Sequence, residues 1–348
     1  MASTARYACP GCGAGLEFDS KLQKMKCPYC DSVFSVSDFM ADTAAAAPKP
    51  KSDAAASGFG CYRCSGCGAE VIADEVTAAT NCPYCSNPII LTGNVEGQLM
   101  PDYIIPFKIS REEAKAALKK HLSGKKLLPK VSTSEHHLDE IKGIYVPFWL
   151  FDTTADSTAS YTMTRTRTWS DSEYNYTETS RYRADRAGTI RFENIPADGS
   201  KKMADDMMES LETFDFDAAV PFDPVYFSGY FADRYDISAD ECIRRIANRV
   251  QKSAMDALEG TVTGYGSVTQ ESGNVRLVGT RRKYAMYPVW ILNTSWRGKT
   301  YMFAMNGESG KFVGDLPVDK MIYWKWRLLY GLGFAGILYG AMYFLGIL

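Results

Sequence analysis

Eight of the ten cysteines in this chain follow one spacing pattern that occurs twice. Each copy consists of two Cys-x2-Cys pairs with 14 residues between the pairs, and the second copy begins 55 residues after the first. The cysteines of the first copy are Cys9, Cys12, Cys27 and Cys30, and those of the second copy are Cys64, Cys67, Cys82 and Cys85. Zinc binds four thiolates in a tetrahedron, and two Cys-x2-Cys turns supply that number. The sequence therefore predicts two zinc ribbons, each holding one structural Zn²⁺ and each folded because the metal is bound.

Iron in a rubredoxin-type site and disulfide bonds are the alternatives to zinc for the same cysteines. The first six residues lack the apolar stretch of a signal peptide, so we expect the chain to remain in a reducing cytosol, where clustered thiols bind metals. A site with four cysteine ligands leaves no coordination position open. We therefore expect the metals to be structural and not catalytic.

Two cysteines fall outside the repeated pattern. Cys61 lies three residues before Cys64 and forms a competing Cys-x2-Cys pair, but the 55-residue repeat favours Cys64 and Cys67 as the ligands. Cys61 is then a thiol outside the set of metal ligands. Cys242 lies at a core-facing position of a predicted helix, and we interpret it as a small apolar core residue.

The charge of the ribbons argues against nucleic acid as their ligand. The whole chain carries 39 Lys and Arg against 41 Asp and Glu, a formal net charge of −2. Residues 1–40 balance four basic against four acidic side chains, and residues 58–96 carry one basic and four acidic side chains. Binding to phosphates requires a basic surplus. We expect a protein partner, and a nucleic-acid-binding protein is the alternative function.

Composition divides the chain into five segments. The ribbons occupy residues 1–40 and 58–95, and an Ala-, Pro- and Lys-rich linker at 41–57 joins them. The linker has no large apolar side chain, which predicts that it does not fold. Residues 100–318 mix helix and strand patterns, and residues 319–348 form a basic, aromatic collar followed by an apolar run.

A weaker repeat lies within the central segment. Residues 109–113 and 237–241 each contain an isoleucine followed by a Ser-x-x-Glu capping box, which predicts the start of a helix. Further along the chain, two apolar runs each contain Pro-x-Trp and are typical of strands. The helices are predicted at 110–122 and 238–258, and the strands at 145–152 and 286–293. The predicted fold class is therefore α+β, with two ribbons, a central domain of two related α+β halves and a C-terminal helix.

Residues 160–192 are polar and rich in Thr, Arg and Tyr, with threonine at alternate positions from Thr162 to Thr168. This alternation predicts a hairpin with both faces in solvent. The hairpin is an exposed surface loop, an edge to which a partner docks, or a surface that faces lipid headgroups.

No set of side chains in the sequence suggests catalysis. The three histidines, His121, His136 and His137, fall at a helix end and in a polar stretch, where we expect them to be solvated. Residues 307–311, Gly-Glu-Ser-Gly-Lys, lack the spacing of a P-loop, and we interpret them as a hairpin turn. We therefore expect a protein that is not an enzyme.

The last 21 residues, 328–348, carry no charged side chain. As a helix they would span about 31 Å, which is one hydrocarbon core. The flanking residues are Trp324, Trp326, Lys320, Lys325 and Arg327. Together they predict a single-pass transmembrane helix in a lipid bilayer, which would place the protein at the cell membrane with the bulk of the chain cytoplasmic. Gly336 and Gly340 form a GxxxG pattern, which suits a homo-oligomer through this helix.

The double ribbon, the mixed central domain and the C-terminal apolar run resemble a bacterial family with TFIIB-type zinc ribbons. Its members are encoded beside phage-shock-type (PspA-like) and SPFH, flotillin-like proteins. Residues 310–317, Gly-Lys-Phe-Val-Gly-Asp-Leu-Pro, look like the family's stretch before its anchor. The resemblance implies a membrane-anchored adaptor that brings an SPFH-domain protein to the membrane during envelope stress, with an SPFH-domain or PspA-like protein as its partner. Members often carry a replication or helicase-like label, but this sequence contains no helicase motif.

Overall fold

The computed structural model describes residues 7–40, 60–64, 67–73, 82–84, 89–94, 100–125, 127–129, 138, 140–203, 205–211, 214–297, 299–314 and 317–344. Of the described residues, 43% lie in strands and 26% in helices, so the protein is mainly β. The predicted α+β class is wrong. The strand content exceeds the expectation because three strands contain 29, 24 and 30 residues, whereas the sequence patterns indicated short strands. The predicted linker at 41–57 lies outside the described residues.

In the described ranges the strands are β1 (Glu17–Asp19), β2 (Lys24–Lys26), β3 (Val33–Phe34), β4 (Gly60–Cys64), β5 (Glu70–Ala73), β6 (Ile89–Asn94), β7 (Tyr103–Ile104), β8 (Lys142–Ser170), β9 (Asn175–Asp198), β10 (Val220–Pro221), β11 (Phe231–Asp233), β12 (Ser267–Trp296), β13 (Lys299–Asn306) and β14 (Phe312–Gly314). The α-helices are α1 (Arg111–Leu122), α2 (Asp205–Leu211), α3 (Ala239–Glu259) and α4 (Lys320–Phe344). Strands β1 to β3 form a small sheet of their own, and the other strands form one large sheet.

The three longest strands, β8, β9 and β12, form an arm. β8 pairs antiparallel with β9 along one edge and with β12 along the other, where Ser267 at the start of β12 lies opposite Thr164. Beyond Thr164 the arm is a two-stranded hairpin whose β8 residues are exposed, as the threonine alternation predicted. We call the rest of the large sheet, with the helices packed on it, the body. Nearer the body, Tyr161 and Met163 of β8 pack with Leu258 of α3 and are buried, so one face of the arm there does not face solvent.

Both predicted capping boxes are formed. The Glu113 N–H donates to Ser110 Oγ at 3.2 Å before α1, and the Glu241 N–H donates to Ser238 Oγ at 3.3 Å before α3. Each helix begins one residue after its capping serine, within one residue of the predicted bounds. The buried face of α3 includes Cys242, Ile246 and Val250.

The short strands that precede α1 and α3 occupy equivalent places in the sheet. β7 lies parallel to β12, with Tyr103 opposite Ala285, and β11 lies parallel to β8, with Phe231 opposite Ile144. β8 and β12 are antiparallel neighbours. Each strand–helix unit therefore places its first strand beside the long strand of the other unit.

The equivalence of the two units extends to one glycine in each. The Gly199 N–H, after β9, donates to the Pro147 carbonyl at 2.9 Å, and the Gly307 N–H, after β13, donates to the Pro288 carbonyl at 2.8 Å. A Cβ atom on Gly307 would lie 2.6 Å from the ring of Phe107, so this close approach requires glycine. Each unit is therefore a strand, a helix and two further strands.

The C-terminal segment differs from its prediction. Among the residues that the structure describes, no helix is long and apolar enough to cross a membrane. The predicted transmembrane helix at 328–348 is therefore wrong, and so is the single-pass location at the cell membrane that was inferred from it. The helix that does form, α4, contains Lys320, Lys325 and Arg327 in its first turns, and glycines and tyrosines interrupt its apolar residues, which lowers its hydropathy. Residues 345–348 of the predicted span lie outside the described residues.

Candidate metal centres

The structure brings the four cysteines of the first ribbon together. Cys9 Sγ lies 3.6 Å from Cys30 Sγ, and Cys12 Sγ lies 3.4 Å from Cys27 Sγ. All four sulfur atoms lie within 4.8 Å of one another. A zinc ion with four sulfur ligands at about 2.3 Å separates the sulfurs by about 3.8 Å in a regular tetrahedron. The observed spacing fits an ion of this size at the centre of the group.

Two hydrogen-bonded turns position these sulfurs. The Cys9 N–H donates to the Ala14 carbonyl at 2.7 Å, and the Gly13 N–H donates to the Cys9 carbonyl at 2.8 Å. In the second turn the Asp31 N–H donates to the Cys27 carbonyl at 3.0 Å. Gly13 has a φ of 75° and Asp31 a φ of 56°, both left-handed. Aspartate tolerates this conformation better than most residues, so Asp31 takes the place that glycine has in the first turn.

The sulfurs of the first ribbon do not ionise alike. The Ser32 hydroxyl, 3.2 Å from Cys30 Sγ, lowers the pKa of the Cys30 thiol most, and with the Ser32 backbone and the neighbouring cysteines it brings that pKa to about 6. A hydrogen bond from the Ala14 backbone lowers the pKa of the Cys12 thiol, but the neighbouring Cys27 sulfur and other effects outweigh it and raise the value to about 12. Thiolates this close repel one another unless a cation lies between them. The donor set is therefore suited to a soft divalent metal.

The second ribbon repeats this arrangement. The sulfurs of Cys64, Cys67 and Cys82 lie within 4.8 Å of one another, with 3.8 Å between those of Cys67 and Cys82. Cys85, the fourth predicted ligand, lies outside the described residues. The first turn is also repeated, because the Gly68 N–H donates to the Cys64 carbonyl at 3.1 Å and Gly68 has a φ of 73°. The chain therefore contains two cysteine groups that can hold metal ions.

The two remaining cysteines lie apart from these groups. Cys61 is buried in β4, and its Sγ lies 3.5 Å from Arg234 Nη1. Because side chains alternate along a strand, Cys61 and Cys64 point to opposite faces of β4, and Cys61 is not in the described sulfur group. Cys242 is buried in α3, where its Sγ lies 3.6 Å from the Asp198 carbonyl oxygen.

The second ribbon is built into the large sheet. β5 pairs antiparallel with β11, which places Ile72 opposite Ala232. At the end of β11 the fully buried carboxylate of Asp233 accepts hydrogen bonds from the Tyr84 hydroxyl at 2.7 Å, from the Ser200 hydroxyl at 2.6 Å and from the Lys202 ammonium at 2.7 Å. Burial raises the pKa of Asp233, and Lys202 opposes this shift.

Sequence reasoning did not find the Asp233 cluster. Its signal is weak: Asp233 is one acidic residue after an apolar pair, and its partners Tyr84 and Ser200 are far from it in sequence. Tyr84 reaches Asp233 because β5 pairs with β11 and places the second ribbon beside it.

The first ribbon packs on the body through different groups. The Phe18 N–H donates to the Ser228 carbonyl at 3.1 Å, and the Phe18 ring meets the Tyr226 ring edge-on with 5.2 Å between centroids. The Gln23 side-chain amide donates to the Phe107 carbonyl at 2.7 Å. The ribbon is therefore held against the body by contacts of β1 and of the turn after it.

The other residues considered for chemistry have ordinary surroundings. His121 stacks on Phe312 with 5.2 Å between ring centroids, and burial lowers its pKa. His136 and His137 lie outside the described residues. Residues 307–311 form the turn between β13 and β14, where Asn306 Oδ1 accepts from the Glu308 and Ser309 N–H groups at 2.9 Å. This is the hairpin turn that the sequence predicted.

The chain is similar in sequence to a known bacterial protein along most of its length. "Uncharacterized protein YdjG" of Bacillus subtilis (strain 168) is 30% identical to this chain over 314 residues, which cover 90% of each protein. No family model and no solved structure matches the chain.

Proposed function

This chain belongs to the family of the Bacillus subtilis protein YdjG, and we propose that it is a zinc-ribbon adaptor, a protein that is not an enzyme and that recruits a protein partner. The observation that carries the proposal is the arrangement of the first ribbon, whose four sulfurs surround one point and leave no ligand position for a substrate. Such a site supports a fold. The chain therefore uses its metals to hold binding surfaces in place.

Zinc is the metal that we propose for both centres. All the donors are thiolates, and the sulfur spacing of 3.4 to 3.8 Å suits a Zn–S distance of about 2.3 Å. With Cys85 as the fourth ligand of the second ribbon, the chain would hold two zinc ions.

The proposed partner is a protein. Described residues 7–40 contain three lysines against four acidic side chains, and a zinc ion with four thiolates adds two negative charges. This balance does not favour phosphates. The resemblance to the TFIIB-type ribbon family suggests an SPFH-domain protein as the partner.

Calorimetric titration of the purified full chain with a purified SPFH-domain protein of the same organism tests this proposal. We expect binding at physiological ionic strength that is lost when a chelator removes the metals, because the ribbons then unfold. A 30-nucleotide DNA, single- or double-stranded, is the control ligand. Steeply salt-dependent binding to DNA, with none to the SPFH-domain protein, would favour the nucleic-acid alternative.

A further inference from the structure

Both ribbons contain the tetrapeptide Cys-Pro-Tyr-Cys, at residues 27–30 and 82–85. The tyrosines of the two copies have opposite environments. Tyr84 is 6% exposed and lies where the second ribbon meets the body, whereas Tyr29 is 82% exposed. The molecule therefore contains the same turn once against a protein surface and once in solvent.

The docked copy shows which groups this turn uses for binding. The Tyr84 hydroxyl donates to the buried carboxylate of Asp233 at 2.7 Å, and the Pro83 carbonyl accepts from the side-chain amide of Asn293 at 2.5 Å. Pro83 and Tyr84 are both buried in this contact. The turn thus binds a surface that combines a recessed carboxylate with a primary amide.

The corresponding groups of the first ribbon have no such contact. Pro28 and Tyr29 are exposed, and within the described ranges neither the Pro28 carbonyl nor the Tyr29 hydroxyl has a hydrogen-bond partner. Pro28 also borders a cavity of about 630 Å³ between the first ribbon and the body. We propose that residues 27–30 are a docking surface for a protein partner that offers a recessed carboxylate to Tyr29 and a side-chain amide to Pro28. The inference rests on the proposed adaptor function and names the surface that the adaptor uses.

Two other occupants fit this surface less well. In a second copy of the chain, Asp233 is already bonded to that copy's own Tyr84, so the surface that binds this turn is filled. A nucleic acid would need basic side chains beside the turn, but Lys26 is paired with Asp31 at 3.0 Å, and Tyr29 lies between two cysteines of an anionic metal site. A protein partner remains the occupant that the surface favours.

Hydroxyl-radical footprinting of the full chain, read by mass spectrometry, tests the proposal without knowledge of the partner. The rate of Tyr29 oxidation is compared between a fresh native lysate and the purified chain. Tyr174, which is 64% exposed in the turn between β8 and β9, is the internal control, because its oxidation corrects for the radicals that the lysate consumes. We expect Tyr29 to be protected at least about fivefold in the lysate, and this protection to survive nuclease treatment.

Each other outcome overturns the proposal. Equal oxidation of Tyr29 in the two samples would show that nothing docks on it. Protection that nuclease removes would indicate a nucleic acid, and protection that appears in the purified chain as its concentration rises would indicate a second copy. These results do not depend on which protein is bound.

A pair of variants separates this inference from the proposed function. With the SPFH-domain protein as the probe, Tyr29→Phe should weaken binding about tenfold or more, because a hydrogen bond to a carboxylate is lost, while Tyr323→Phe, changed on α4 far along the chain, should bind as the wild type does. Wild-type affinity in Tyr29→Phe would overturn the docking surface and leave the adaptor intact. Absence of binding by the wild type would overturn the assigned partner, and footprinting would still decide the docking surface.

Discussion

Trp149 donates its indole N–H to the backbone carbonyl of Ile237 at 2.8 Å. The equivalent tryptophan of the other unit, Trp290, donates in the same way to Ile109 at 3.1 Å. Ile109 and Ile237 each precede the capping serine of a helix. Each unit therefore uses the tryptophan of its long strand to hold the start of the helix in the other unit, and the two units stabilise each other.

Replacing either tryptophan should destabilise the body. Trp149→Phe or Trp290→Phe keeps a ring in the core but leaves a carbonyl without its donor, which costs about 1–3 kcal/mol. Urea unfolding measures the effect. Trp324, which is 60% exposed on α4, provides the control, and Trp324→Phe should change stability by less than about 0.5 kcal/mol. Equal stability of all three variants would contradict the interlocked arrangement.

Part of this arrangement could be predicted from sequence. The capping boxes at Ser110 and Ser238 are local signals, because a serine and a glutamate three residues apart satisfy the same helix end. Both helices begin within one residue of the expected position. The Pro-x-Trp strands were also found. The position of each unit's first strand beside the long strand of the other unit could not be predicted. The pairing of β7 with β12 and of β11 with β8 joins residues far apart in sequence.

The matching glycines, Gly199 and Gly307, were missed for a related reason. The long hairpin of β8 and β9 separates Gly199 from Pro147, whereas only the end of β12, a short turn and β13 separate Gly307 from Pro288. The two copies therefore lose their alignment in sequence. For the metal centres the opposite holds, since both cysteine patterns keep a 55-residue offset without a gap. The turns at Cys9 and Cys64 accordingly show the same hydrogen bonds.

The buried Asp233 should contribute strongly to stability. Asp233→Ala leaves the Lys202 ammonium, whose side chain is 17% exposed, without its carboxylate at 2.7 Å, and the loss of one partner of a buried pair costs about 3–5 kcal/mol. Chemical denaturation checks this expectation. Asp240→Ala is the control, because its ion pair with Arg282 is exposed and such pairs contribute about 0–1 kcal/mol. A similar small effect for both variants would contradict the role given to Asp233.

Tyr29 and Tyr84, the tyrosines of the two Cys-Pro-Tyr-Cys turns, should respond differently to the same substitution in the purified chain. Tyr84→Phe removes a donor to the buried Asp233 carboxylate and should cost about 1.5–3 kcal/mol. Tyr29→Phe changes an exposed hydroxyl and should leave unfolding unchanged. Differential scanning calorimetry of the two variants provides the comparison. Equal melting temperatures would show that the Tyr84 contact does not hold the second ribbon to the body.

The capping boxes should give stability a defined dependence on pH. The Ser238 backbone N–H lowers the pKa of Glu241, and the Ser110 backbone N–H lowers that of Glu113. Because these pKa values lie below those of the unfolded chain, the stabilisation is present above about pH 4.3 and is lost as pH falls through the lowered folded values. Unfolding of the wild type and of Glu241→Gln should therefore differ at neutral pH and converge in acid. A difference that persists at pH 2 would contradict this account.

The two metal centres should be lost one at a time. Cys27→Ser removes one ligand of the first ribbon, and Cys67→Ser removes one of the second, so each variant should retain one zinc ion. Because Phe18 is buried against the body, loss of the first metal should also expose that contact and raise proteolytic cleavage in residues 7–40. Elemental analysis with limited proteolysis measures both effects. Loss of both metals from either variant would contradict two separate sites.

Zinc K-edge X-ray absorption of the purified full chain, with its metal content measured on the same sample, is the most direct test of the account. We predict two zinc ions per chain, each with four sulfur neighbours at about 2.3 Å. Iron in place of zinc, one metal per chain, or a first shell containing nitrogen or oxygen would contradict two closed cysteine sites.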